Sequence, residues 1–308
     1  MPRTAIGIDI GGTLTKLAIV SEEGEILHSE ALRTAARRDP GEYLEKLLHR
    51  VGKLVKKYPV RGIGLAAPGF LSPDHRSVRY NPNTPALIGI DYADLMASLH
   101  LPVRLEQDLN VPTLAEYYFG EYRQAPRLMT VSIGTGLGAG FMIGNRLLDF
   151  AGSTIGDTGH IILDPDGPTC TAGCHGCAEA LIATPNIVRL AKKQTVRKAS
   201  HVTAHVVITS AKEGQPWAVK IIEKIGDWLG QWLASLAPIF LPSHIILCGG
   251  VAEAGEVLRA RAETRFRSLS GPEYTQALIA LSRFGGRAGV IGAAAPFLTN
   301  RSLESRLA

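Results

Sequence analysis

The spacing of apolar positions changes period several times along the chain. Ala5-Ile6-Gly7-Ile8-Asp9-Ile10, Leu17-Ala18-Ile19-Val20 and Ile26-Leu27 are apolar and rich in β-branched residues. Gly11-Gly12-Thr13 separates the first two and Glu23-Gly24 the last two, which predicts three antiparallel strands. A helix follows, with Asp39 reading as N-cap, Pro40 as N1 and Glu42 as N3. Leu44, Leu47, Leu48, Val51, Leu54 and Val55 give it a stripe of 3.6-residue period. Short strands are predicted at Gly62–Ala66, before Pro68-Gly69, and at Val103–Leu105, before Gln107-Asp108. A helix from about Val111 to Tyr118 comes next.

Near Leu128 the pattern starts again. Leu128–Ile133 reads as a strand, Gly134-Thr135-Gly136-Leu137-Gly138 as a glycine turn and Ala139–Ile143 as a second strand. Gly144-Asn145 then makes a turn before a third strand, Arg146–Asp149. Repetition of a whole strand–turn–strand unit predicts a duplicated two-domain α/β chain with its boundary near residues 110–125. The later chain holds a Cys/Gly-rich segment (167–178), a helix start at Thr184-Pro185 and a long apolar helix from Pro216 to Phe240. A buried strand, Ile245–Cys248, ends at Gly249-Gly250, and Ala288–Leu298 is a helix of small residues.

Composition narrows the classes. The 308 residues carry a net charge of +5. The basic residues are dispersed, which points away from nucleic acid. No apolar run is long enough for a membrane span, and no signal-peptide pattern precedes the first strand, so the expected location is the cytoplasm.

Candidate chemistry sits at the turns. Asp9-Ile10-Gly11-Gly12-Thr13 suits a polyphosphate: glycines bring backbone N–H groups close to phosphate oxygens, and the Thr13 hydroxyl adds a donor. Asp9 can hold Mg²⁺ through water, and Lys16 is counted with this loop. Gly134-Thr135-Gly136-x-Gly138 is the second such loop, and Gly249-Gly250 can lie against a nucleotide. An ordinary glycine hairpin explains either loop alone; two loops, each opening one half of the chain, favour phosphate. Neither matches the P-loop or the dinucleotide fingerprint. Asp108, at a strand's end, can accept the proton of an attacking alcohol, or it can simply cap a helix. His160 with Cys170, Cys174 and Cys177 is a complete ligand set for tetrahedral Zn²⁺. Cys248 reads as a buried strand residue.

Together these motifs resemble the ROK family of sugar kinases and repressors over nearly the whole chain. The most specific parts are Asp9-x-Gly11-Gly12-Thr13, Gly134-Thr135-Gly136-x-Gly138 and the Gly156–Glu179 segment. The resemblance implies two RNase-H-like, actin/hexokinase-type α/β domains flanking a cleft that closes on ATP and a hexose. The domains are expected at 1–115 and 116–308, with the C-terminal helix packing back on the first. By motif Asp108 is the catalytic aspartate. Asn83, in Asn81-Pro82-Asn83-Thr84-Pro85, falls in the sugar-contacting stretch. Asp157 and His160 occupy the Gly-Glu-x-Gly-His motif that binds sugar hydroxyls. Glu179 is the sugar-binding acid after the last zinc cysteine, and His160's counterpart also serves zinc. Gly69 and Gln107 are counted with the sugar contacts, and a homodimer is expected.

Three positions depart from the family pattern. Gln107 stands for the usual Asn, Asp157 for the usual Glu, and Ala172 where the second cysteine of Cys-x-Cys-Gly belongs, with Cys174 two residues on. The first two fall on sugar contacts, where acceptor specificity is set. The expectation is therefore an ATP- and Mg²⁺-dependent phosphotransferase acting on the hydroxymethyl group of a hexose or hexose-like sugar, with a structural Zn²⁺. Its small-molecule partners are a sugar and ATP (or polyphosphate as donor), with neither nucleic acid nor membrane. The alternatives are a kinase for an amino sugar, N-acetylhexosamine, fructose, allose or cyclitol; a sugar-responsive regulator; and a cluster-bearing ATPase of the same superfold. A regulator would carry a winged helix-turn-helix before the first strand, and the hairpin here begins almost at Met1. His160 beside the cysteines favours zinc over an iron–sulfur cluster.

Overall fold

The computed structural model describes residues 3–35, 37, 39–81, 84–150, 157–194 and 202–299. The chain begins with β1 (Thr4–Ile10), β2 (Leu14–Ser21), β3 (Ile26–Arg33), α1 (Gly41–Lys57), β4 (Val60–Ala67), β5 (Phe70–Leu71) and β6 (Val78–Tyr80). There follow α2 (Tyr92–Leu95), β7 (Val103–Gln107), α3 (Asn110–Phe119), β8 (Arg127–Ile133), β9 (Leu137–Ile143) and β10 (Arg146–Leu147). The remainder is α4 (Ala178–Ile182), α5 (Thr184–Gln194), α6 (Ala204–Lys212), α7 (Pro216–Phe240), β11 (His244–Cys248), α8 (Glu256–Leu269), β12 (Leu278–Leu281) and α9 (Ala288–Leu298).

The repeat seen in the sequence is a repeat of topology. One sheet has the order β3-β2-β1-β4-β7 and the other β10-β9-β8-β11-β12. Each is an antiparallel three-strand meander continued by parallel strands on the side of its first strand. Parallel neighbours need crossover segments, and helices supply them: α1 between β1's meander and β4, and α4 to α7 between the second meander and β11.

Several predicted boundaries move. Pro40, not Asp39, is the N-cap of α1. Its carbonyl accepts the first helical bond, from Leu44 at 2.8 Å, while Asp39 Oδ1 accepts the Gly41 N–H at 3.0 Å from one position further out. Glu42 turns outward to Lys46 instead of closing a capping box. β3 runs to Arg33, well past Leu27, because it is an edge strand whose alternate residues face water. β10 ends at Leu147; Asp149 leaves the ladder and pairs with His75. Gly249-Gly250 leads first into a 3₁₀ turn, Gly250–Ala254, and only then into α8.

The chain divides into two compact units: residues 1–124, 140–156 and 287–308, and residues 125–139 and 157–286. In the first, alternation along β1 and β4 sends Ile6, Ile8, Ile63 and Leu65 into a core shared with Leu47, Val51 and Leu54 of α1. The opposite sheet face carries Gly7 and Gly64 and receives α9. A Cβ on Gly64 would lie 1.8 Å from Ala293 O, so the small residues of α9 answer glycines in the sheet. In the second unit α7 buries one face, including Trp232, and packs along α8.

Candidate active site

In the first unit the candidate residues collect where parallel strands end, the usual ligand edge of an open α/β sheet. Asp9 stands opposite Lys16 across the β1–β2 pair and beside Ala66 of β4. The first turn of α9 reaches it at Gly289, where a Cβ would lie 2.6 Å from Asp9 Oδ2. Burial raises the Asp9 carboxyl above its ordinary value, and Lys16 opposes the rise. At the hairpin tip Gly11 N–H donates to Leu14 O at 3.0 Å, which leaves Gly12 and Thr13 exposed.

Asp108 follows the last residue of β7. Its N–H donates to Ala67 O at 3.0 Å, which continues the β4–β7 ladder by one rung. Burial, and then the charge of Asp9, push its carboxyl up to about 7 against the pull of the Leu109 and Asp108 N–H groups. Gln107 is buried, and its Oε1 accepts the Leu109 N–H at 2.7 Å. Its amide NH₂ takes no part in that bond. Gly69 lies at the turn between β4 and β5 with φ +98°. Asn83 lies outside the described residues; its neighbours Asn81 and Thr84 are buried and joined by a 2.6 Å hydrogen bond from Nδ2 to Oγ1.

In the second unit the Gly134–Gly138 loop is pinned at both ends. Gly134 N–H donates to Gly136 O at 2.9 Å, and Gly134 O accepts the Thr184 N–H at 2.8 Å from the start of α5. Thr135 is exposed at the tip. Glu179, in the first turn of α4, reaches this loop through Oε2, which accepts the Leu137 N–H at 3.2 Å. Its Oε1 accepts from Thr171 at 3.4 Å. Gly249 follows β11 with φ +87° and sits hard against Ile133, whose carbonyl oxygen would meet a Cβ at 2.5 Å.

The metal candidates gather around His160. Its Nδ1 lies 3.7 Å from Cys170 Sγ and 3.8 Å from Cys177 Sγ, and Cys174 Sγ falls within 4.8 Å of the His160 and Cys170 ligand atoms. Ordinary zinc–sulfur and zinc–nitrogen bonds at a tetrahedral angle give an N···S edge of about 3.6 Å, close to both His160–thiol distances, while the group whose ligand atoms all approach one another is His160, Cys170 and Cys174, without Cys177. The Cys170 N–H bonds to Cys174 O at 2.9 Å, which closes the knuckle that brings the two thiols together. Asp157 is exposed beside this turn, and Trp232 Nε1 fastens the turn by donating to Thr158 O at 2.8 Å.

Residues 5–300 match the ROK family. The chain belongs to the ROK family. A glucokinase of Streptomyces coelicolor is 30% identical over 312 residues, covering 94% of this chain and 96% of that one. A kanosamine kinase of Amycolatopsis mediterranei is 27% identical over 252 residues, covering 80% of each. The crystal structure of a ROK family glucokinase from Streptomyces griseus with glucose and AMPPNP superposes with a TM-score of 0.83 at 29% identity, covering 94% of this chain and 98% of that one. The fold is thus the actin/hexokinase-type α/β fold of ROK proteins. No helix among the described residues is long and apolar enough to cross a membrane.

Within this ROK chain, sequence reading passed over several residues that shape the site. Gly289 makes room for Asp9, and Trp232 anchors the Thr158–His160 turn. Glu106 and Asn110 bracket Asp108, joined to each other at 3.1 Å. The signal for Glu106 was present: an acid two residues before Asp108, in a strand of sequence Val-Arg-Leu-Glu-Gln. Nothing local marks Gly289 or Trp232, whose partners are distant in sequence.

Proposed function

We propose that this chain transfers the γ-phosphoryl group of ATP to the hydroxymethyl oxygen of a hexose or hexose-like sugar. The observation that carries the reading is Asp108, a carboxyl at a strand end raised to about 7. A base poised near neutral pH suits removal of an alcohol proton. As the acceptor oxygen bonds to the γ-phosphorus, its proton passes to Asp108, the bond to the β,γ-bridging oxygen breaks, and ADP leaves. Positioning and charge stabilisation carry the rest of the acceleration.

The remaining roles follow the same reading. Gly11, Gly12, Thr13 and Lys16, with Gly134, Thr135, Gly136 and Gly138, hold phosphates, and Gly249 and Gly250 border the nucleoside. Asp9 would hold Mg²⁺ through water; a cation there would relieve the mutual repulsion that helps raise Asp108. Gly69, Asn83, Gln107, Asp157, His160 and Glu179 face the sugar. His160, Cys170, Cys174 and Cys177 would hold one Zn²⁺, which would keep the loop bearing His160 and Glu179 rigid. A cytoplasmic homodimer completes the proposal, and sedimentation tests its oligomeric part.

The test is ADP release across a sugar panel, with Asp108→Asn as control. Sugar-dependent turnover that Asp108→Asn leaves intact would sink the assignment. A second reading, an amino sugar or other non-glucose acceptor, draws support from Gln107. With its carbonyl committed to Leu109, it offers a donor to the acceptor, and a mismatched polar contact discriminates strongly. Glucose and kanosamine therefore head the panel.

A further inference from the structure

The first unit buries a cluster of ionisable side chains beside the turn that carries Asp108. His75 Nε2 lies 3.0 Å from Asp149 Oδ2, with side chains 4% and 3% exposed. Glu106 is also buried; its Oε1 accepts from Gln107 N and from Asn110 Nδ2, each at 3.1 Å. Its Oε2 faces Arg104 Nη2 at 3.4 Å. One ring nitrogen of His75 and one oxygen from each carboxylate all fall within 4.8 Å of one another.

Charged groups withdrawn from water cost folding free energy that apolar side chains of the same volume would not. His75 adds a further cost, being a non-glycine residue at φ +54°. What this expense secures is visible in the segments joined: the β5–β6 turn, β7, the first turn of α3 and the stretch after β10. The first three lead to residues assigned to the acceptor. The chain runs from His75 through β6 to Asn81, which bonds to Thr84. Glu106 and Asn110 flank Gln107 and Asp108.

We propose that His75, Asp149 and Glu106 form a positioning network that holds Asp108 and the roots of the acceptor loops in register. They act through Gln107, Asn110 and the backbone and do not touch substrate. A divalent cation would find suitable ligand types here, but the Arg104 guanidinium already supplies Glu106 with a counter-charge. The inference rests on the sugar-kinase reading for its catalytic consequence, though not for its structural one.

The experiment compares wild type with His75→Gln, Asp149→Asn, the double variant and Glu106→Gln, the last nearly isosteric so that it folds. For the best acceptor, kcat/KM is expected to fall between about 10- and 100-fold, as misplacement of a reacting group costs, with KM for ATP within about twofold of wild type. The double variant should cost no more than the worse single one, because neighbours in one network are not additive. Hydrogen exchange of folded, ligand-free protein should quicken at residues 104–112 in each variant. Variants that melt lower yet keep both kcat/KM and the exchange of 104–112 overturn the proposal, as does a bound metal equivalent lost on His75→Gln. If wild type phosphorylates no sugar while the exchange result holds, the kinase reading has failed and the network has not.

Discussion

Glu179 Oε2 accepts the backbone N–H of Leu137 at 3.2 Å. That single bond ties the cysteine-rich loop to the Gly134–Gly138 loop, because Glu179 stands two residues beyond Cys177 and Leu137 directly follows Gly136. The approach is tight: a Cβ on Gly136 would lie 2.9 Å from the same oxygen. Glu179 was expected to serve the sugar, yet its carboxylate also braces a loop assigned to ATP. Glu179→Ala should therefore raise KM for both substrates. The ATP effect should be roughly 5- to 30-fold, the worth of a charge-assisted hydrogen bond of about 1.5–3 kcal/mol partly replaced by water. Steady-state KM for ATP at saturating sugar is the measurement, and an unchanged value would count against the brace.

Asp108 sets a pH dependence whose sign is definite. As a base it must be ionised, so kcat/KM for the acceptor should climb about tenfold per pH unit below a midpoint near 7 and level off above it. Asp9→Asn removes a neighbouring negative charge and should move that midpoint to lower pH. Stability runs the other way. The folded value lies above the ordinary 3.8, so the fold favours the protonated form. Its stabilising contribution is complete below the unfolded value and is lost as pH rises through about 7. Asp108→Asn should flatten that decline and melt above wild type at pH 8, which thermal scans across pH 4–8 will check.

Metal content tests, without recourse to activity, the proposal that Cys174 takes the place of the cysteine absent at Ala172. Wild type should carry one zinc per chain. Cys174→Ser should lose most of it, and adding Ala172→Cys to that variant should restore it. Native mass spectrometry reads all three states. Zinc at full occupancy in Cys174→Ser would remove Cys174 from the ligand set.

Two glycine substitutions should change stability in opposite directions. Gly64→Ala puts a Cβ 1.8 Å from the Ala293 carbonyl of α9, so helix and sheet must part. The expected loss is roughly 1–3 kcal/mol or more. Gly52→Ala lies inside α1, where the nearest atom to its Cβ, on Leu99, is 3.7 Å away. It should stabilise by roughly 0.5–1 kcal/mol through helix propensity and a stiffer unfolded chain. Denaturant midpoints measured together will show whether the signs differ.

Local pattern determined much of this protein. The two meanders, α7 from Pro216 to Phe240, α9 and both glycine loops were legible because strand alternation, helical stripes and turn residues act over a few neighbours. The cysteine knuckle was legible for the same reason. The sequence also singled out Asp108, although it could not choose between a base and a helix cap. Tertiary structure adds the raised carboxyl on which the proposed base rests, through burial and through Asp9, a residue nearly a hundred positions away. It also committed the Gln107 carbonyl to Leu109, gave Glu179 a second partner in Leu137 and placed His75 against Asp149. Each of these depends on desolvation and on hydrogen bonds that exist only once the chain has closed on itself, and local periodicity carries no record of either.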